Sequence, residues 1–239
     1  MKRLKLLFMG TPEFALPSLE LLHRSEHPLP AVVTQPDRPR GRKKVLHPPP
    51  VKKWARRHDI PVLQPAALKD ELFLRKAAAL APDLIVIVAY GRILPPELLQ
   101  LPKLGCINLH ASLLPAYRGA APIERAVIDG RPETGVTVME VVSKLDAGDI
   151  ILQERLPVHF TDTAGEVAER LASAGAALLV RAVEEIASGK ARRLPQDHDR
   201  ATYAPPLRRE EEQINWSGEA LSLYNLIRGL NPRPGAYTT

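Results

Sequence analysis

Along its first half the chain alternates short, predominantly apolar runs with longer stretches of helical periodicity. The apolar runs occupy 4–9, 31–34, 61–63, 84–89 and 106–109, each within two residues of a Gly or Pro. Runs that are apolar at nearly every position, rather than at every second one, predict strands buried on both faces. Between them, a helix is expected after Pro12 with Phe14, Leu19 and Leu22 on its apolar side, with further helices over 49–58, 69–80 and 122–128. Strands separated by helices imply a mostly parallel sheet with right-handed crossovers and a layer of helices on each face. The expected fold class is therefore α/β, with a Rossmann-like domain.

The second half is less regular. Residues 135–142 are rich in β-branched side chains and read as a strand that 150–157 could pair antiparallel. A long amphipathic helix is predicted over 163–188, stopped by Gly189 through a positive φ. A Pro-rich, charged stretch then runs to Arg209, followed by a modest helix over 218–230. The expected organisation is a domain over 1–189, a linker over 190–209, and a segment over 210–239 too small to bury a core of its own, the start of an incomplete further domain.

Composition narrows the picture in three ways. No apolar run approaches the roughly 20 residues that cross a bilayer, and the apolar stretch at the start is too brief for a leader peptide. Cys106 is the single cysteine, so no internal disulfide is possible and a reducing cytoplasm is expected. The six other-than-active-site candidates His23, His27, His47, His58, His159 and His198 show no ligand spacing, and no metal is expected. The net charge of +6 is uneven: nine Lys or Arg fall between Arg38 and Arg57 with no acid among them, and without them the rest of the chain is net acidic. Such a patch suits a polyanion such as nucleic acid, or a solvated charged face. Subunit contacts have no signature here, and a monomer is the working expectation.

Candidate chemistry concentrates in Asn108-Leu109-His110-Ala111-Ser112-Leu113-Leu114-Pro115, at the end of a predicted buried strand. Open α/β sheets bind ligands at the carboxyl ends of their strands. Alternate residues of a strand point the same way, so Asn108 and His110 can converge on one atom. An amide supplies a neutral donor to a developing oxyanion, and an imidazole exchanges protons near neutral pH. Asp146, in a Gly-containing loop between two predicted strands, could reach the same place and orient the ring; as a turn residue it would do neither. Gly10-Thr11-Pro12-Glu13 lacks the spaced glycines of a dinucleotide site, which disfavours a nicotinamide enzyme.

The run Asn-x-His-x-Ser-Leu-Leu-Pro, with Leu-Asp-x-Gly-Asp downstream at 145–149, resembles the 10-formyltetrahydrofolate-dependent formyltransferases. Phe8-Met9-Gly10-Thr11-Pro12-Glu13-Phe14, Val88-Ala89-Tyr90-Gly91 and Arg118-Gly119-Ala120-Ala121-Pro122-Ile123 are similar to the branch that acts on methionyl-tRNA. The resemblance implies that Asn108, His110 and Asp146 are catalytic. Ser112, Leu113, Leu114 and Pro115 would lie beside the folate, with Tyr90, Gly91, Ile93 and Leu94 walling the pteridine. Phe14 would lie near the methionyl side chain, and Arg38, Arg40, Gly41, Arg42, Lys43 and Lys44 would read the acceptor end of initiator tRNA from a mobile arm. The implied formyl donor is 10-formyltetrahydrofolate, the implied acceptor the α-amine of methionyl initiator tRNA. A C-terminal β-barrel that helps hold tRNA would begin near Glu210. The alternative acceptor is a nucleotide-linked amino-sugar, which has no need of a basic arm.

Overall fold

The computed structural model describes residues 2–40 and 45–239. Strand β1 (Leu6–Gly10) leads through a 3-10 turn into helix α1 (Leu16–Arg24), and β2 (Ala31–Val33) follows. A hairpin of β3 (Arg38–Arg40) and β4 (Val45–His47) precedes α2 (Pro50–Arg57) and the short β5 (Val62–Leu63). Then come α3 (Glu71–Ala79), β6 (Leu84–Val88), α4 (Pro96–Leu99) and β7 (Cys106–His110). The chain continues through β8 (Arg118–Gly119), α5 (Pro122–Ile128), β9 (Glu133–Glu140), β10 (Ile150–Pro157) and α6 (Ala164–Ala187). Strand β11 (Tyr203–Ala204) and helix α7 (Ala220–Gly229) complete it.

Seven strands form one sheet in the order β10-β9-β7-β6-β1-β2-β5. The five from β5 to β7 are parallel; β9 pairs antiparallel with β7, and β10 pairs antiparallel with β9, the second pairing as the pattern of the second half predicts. Strand pleating divides the apolar residues between two cores. Leu6, Phe8, Val86, Ile107 and Leu109 face a layer containing α1 and α6, while Leu7, Met9, Ile85, Ile87 and Cys106 face the side covered by α3 and α4. Helix α6 begins with a reciprocal capping box between Thr163 and Glu166 and stops before Gly189, which adopts φ +70°. Gly175 brings α6 close to Leu109: a Cβ there would sit 2.7 Å from Leu109 Cδ2.

Three features differ from the sequence expectation. Arg38–Arg40 and Val45–His47 form antiparallel strands where a mobile arm was expected; Gly41, Arg42, Lys43 and Lys44 lie outside the described residues. Pro39 is compatible because a two-stranded ribbon is all edge. The stretch expected as a linker is bonded into the sheet domain: Ile150 and Leu194 exchange both backbone hydrogen bonds, and β11 pairs with β8. Helix α7 docks against α5, and its buried Arg228 donates to the Val127 carbonyl of α5 at 3.5 Å, to the carbonyls of His159 and Asp162 at 3.1 Å each and to Asn225 Oδ1 at 2.8 Å. Periodicity alone gives no sign of these short or long-range pairings.

Candidate active site

The cover of the α3–α4 face is short. Near Cys106 the face is closed by α4, and burial pushes the Cys106 thiol up to about 12, which leaves it protonated and inert. Two and four residues further along the same face stand Asn108 and His110, where a cleft of about 970 Å³ opens over the carboxyl ends of β6 and β7. Asn108 is held by its register between Ile87 of β6 and Met139 of β9. Asp146 reaches the same cleft from the loop between β9 and β10, so the three expected catalytic residues meet.

The geometry of His110 fixes its tautomer. Its Nε2 lies 2.9 Å from the carbonyl oxygen of Tyr117, which can only accept, so Nε2 carries the hydrogen. Nδ1 of the neutral ring then keeps its lone pair, 3.8 Å from Asp146 Oδ2. That oxygen accepts the backbone N–H of Gly119 at 2.8 Å. Ala89, Tyr117 and Asp146 all have positive φ, between 46° and 58°, and all border the cleft or bond its histidine. Non-Gly residues in this region persist only where their surroundings over-determine them, and they cluster at functional sites.

Around this centre the structure sorts the remaining expectations. Tyr90, Gly91, Ile93 and Leu94 line the cleft, and so does Phe14. Ser112, Leu113, Leu114 and Pro115 do not; they turn away behind β7. Ser112 Oγ donates to the Ala116 carbonyl at 2.6 Å, Leu114 N–H donates to Thr137 Oγ1, and Gln153 donates to the Leu114 carbonyl. With Ser112 and Leu114 buried, this segment braces the strand end that carries His110. Arg38 is linked to the cleft wall: it donates to Gln35 Oε1, and Gln35 Nε2 donates to the Tyr90 carbonyl at 2.7 Å. The buried Lys52 pairs with Asp37 at 2.7 Å and anchors the base of the hairpin.

Residues 2–183 match the family model described as formyl transferase, and residues 206–239 match the model of the formyl transferase C-terminal domain. The chain belongs to the formyl transferase family. This formyl transferase is 60% identical to the methionyl-tRNA formyltransferase of Moorella thermoacetica, across 98% of this chain and 76% of that protein. Its fold is similar to HypX from Aquifex aeolicus in complex with tetrahydrofolic acid (TM-score 0.75, 17% identity), of which it spans 36% while 99% of this chain is covered. It is also similar to an N-formyltransferase from Helicobacter canadensis in complex with folinic acid and dTDP-3-aminofucose (TM-score 0.70, 20% identity), covering 95% of this chain and 80% of that one. At those identities the two structures show the fold alone.

The formyl transferase also holds polar groups at its centre that the sequence did not single out. Arg118 is fully buried, with Nε and Nη2 donating to Gln196 Oε1 at 3.2 and 2.5 Å and Nη2 standing 2.9 Å from His198 Nδ1. Their separations of 78 and 80 residues leave no local signal. Glu124 lines the cleft from the first turn of α5; burial holds its carboxyl above the usual carboxylate range, and among the described residues it has no ion-pair partner. Trp54 is stacked on His58 at 3.9 Å with Nε1 donating to Glu20. Trp216 is two-thirds exposed. Among the described residues no group of three His, Cys, Asp or Glu could hold a metal ion, and no helix is long and apolar enough to cross a membrane.

Proposed function

We propose that this formyl transferase moves the formyl group of 10-formyltetrahydrofolate to the α-amine of methionyl initiator tRNA, with Asn108, His110 and Asp146 as its catalytic residues. The observation that carries the reading is the convergence of an amide, an imidazole and a carboxylate at the mouth of a largely apolar cleft, in a chain 60% identical to a methionyl-tRNA formyltransferase. The cleft suits a flat heteroaromatic donor, with Tyr90, Gly91, Ile93 and Leu94 as the pteridine wall. Phe14, which also lines the cleft, suits a methionyl side chain, by apolar contact and sulfur–aromatic attraction. Ser112, Leu113, Leu114 and Pro115 serve the site by supporting β7.

The amine lone pair attacks the formyl carbon and the carbonyl π pair moves onto oxygen. Asn108 donates its amide N–H to that oxyanion, a contribution worth roughly 3–4 kcal/mol at the transition state. Nδ1 of His110, the ring nitrogen with the available lone pair, takes the proton the amine must lose, and Asp146 stabilises the resulting imidazolium. Collapse of the tetrahedral intermediate breaks the bond to N10 of the folate, which receives that proton. Arg38, Arg40, Gly41, Arg42, Lys43 and Lys44 hold the acceptor end of the tRNA beside the cleft. The segment matching the C-terminal domain model belongs to the tRNA-binding part of the molecule.

The deciding experiment measures formyl transfer to methionyl initiator tRNA and, in parallel, to a nucleotide-linked amino-sugar. Transfer to tRNA that disappears in His110→Ala supports the proposal. Transfer to the sugar alone would replace the acceptor, and near-full activity of His110→Ala would remove the catalytic assignment.

A further inference from the structure

Behind the catalytic loop, Gln196 uses every polar group of its side chain. Its Nε2 donates to the backbone carbonyl of Asp146 at 2.9 Å and to that of Gly148 at 2.7 Å, while Oε1 accepts both bonds from Arg118. Gln196 and Arg118 are both nine-tenths or more buried, so each of these bonds is made away from water. The loop they hold needs fixing from outside: Asp146 is in the left-handed region at φ 46°, and a Cβ on Gly148 would run into the Glu140 carbonyl. The other half of the site is fixed from the same quarter. Thr202 and Ala204 accept the backbone N–H groups of Tyr117, Arg118, Ala120 and Ala121, through Thr202 Oγ1 and the two carbonyls.

We infer that Gln196 is a positioning residue for the reaction, setting Asp146 against His110 by clamping the 146–148 loop to Arg118. The inference rests on the proposed catalytic role of Asp146. It also makes the 194–204 stretch, beyond the residues that match the first family model, part of the catalytic apparatus. The two ends of the Gln196 side chain separate this role from mere support of a buried arginine. Gln196→Glu keeps the shape and the acceptor for Arg118 but loses the two donated bonds that hold the loop. A residue needed only to satisfy Arg118 tolerates that change, whereas one that positions Asp146 does not.

The test compares the full chain with Gln196→Glu, Gln196→Ala and Asp146→Ala in formyl transfer to methionyl-tRNA, with thermal midpoints. The expected result is a kcat lowered about 10- to 100-fold in Gln196→Glu, as for lost outer-shell partners elsewhere, with KM for both substrates within about twofold. Gln196→Ala should show the same split. Wild-type kcat in Gln196→Glu, or a fall in Gln196→Ala that Gln196→Glu restores, would overturn the inference and leave Asp146 catalytic if Asp146→Ala is inactive. An active Asp146→Ala would instead overturn the underlying reading. Failure of both Gln196 variants to fold would assign the residue to stability and likewise overturn the inference.

Discussion

His110 gives its Nε2 hydrogen to the carbonyl of Tyr117, a residue itself held at φ 58°. That leaves Nδ1 as the ring nitrogen with a free lone pair, and in the proposed reaction it is the base. His110→Gln can keep a donor near that carbonyl but supplies no base, so it should lose as much as His110→Ala, about 10²- to 10⁴-fold in kcat. Steady-state rates at saturating methionyl-tRNA check this. A His110→Gln enzyme within tenfold of wild type would show that the ring is not the proton acceptor.

Asn108 faces the cleft as a neutral donor. Asn108→Ala should cost about 10²- to 10³-fold in kcat. Asn108→Asp should fall further, since a carboxylate would oppose the oxyanion that the amide is proposed to stabilise. Equal rates for the two variants would place the oxyanion elsewhere, and single-turnover formylation separates the step from product release.

Glu124 gives a pH-dependent stability of definite sign. Burial raises its folded-state carboxyl above the ordinary value of 4.5, so over that window the folded state binds more protons than the unfolded one. Stability attached to this group falls as pH rises from about the unfolded pKa through the raised folded one. Glu124→Gln lacks the penalty and should be more stable than wild type at pH 7, with the difference vanishing near pH 4. Urea midpoints at the two pH values measure it; a variant less stable at pH 7 would mean that the carboxylate has a favourable partner.

Asp162 runs the opposite way. Its hydrogen-bonded pair with Arg170, at 2.5 and 3.0 Å, holds the carboxyl below the ordinary 3.8. That contribution is present above the unfolded pKa and is lost as pH falls through the lowered folded one. Asp162→Asn should cost about 1–2 kcal/mol near neutrality and little in acid. Because Arg228 bonds the Asp162 carbonyl, proteolytic release of the α7 segment should also quicken in the variant.

Gly175→Ala should overpack α6 against Leu109, the residue between Asn108 and His110. The expected cost is about 1–3 kcal/mol, with a fall in the thermal midpoint of several degrees. Calorimetry against Gly189→Ala, where the cost is a strained φ with open space around the Cβ, separates crowding from backbone strain.

The sheet was legible because its strands are buried on both faces and their apolar runs need no distant partner to be noticed. Asn108 and His110 were legible by their period of two on such a run. Asp146 was found by motif and not by pattern, since nothing in a loop sequence states that Gly119 will donate to it. Gln196 and His198 were passed over because their meaning lies entirely in Arg118, about eighty residues away. The pairing of β3 with β4 escaped for a local reason: each strand is three residues long, β3 is Arg-Pro-Arg, and β4, Val45–His47, is exposed throughout, so neither shows an alternation with one buried face.

The parallel pairing of β8 with β11 has a consequence for how the protein is made. Domains form from the N-terminus as the chain leaves the ribosome. Here the loop carrying Arg118 and Gly119 has to wait for residues 196–204 before its backbone donors and its buried cation are satisfied. With Gln196 in the proposed positioning role, the nascent sheet would be assembled for some time without being an enzyme, and competence would arrive with a segment whose composition is that of a tether.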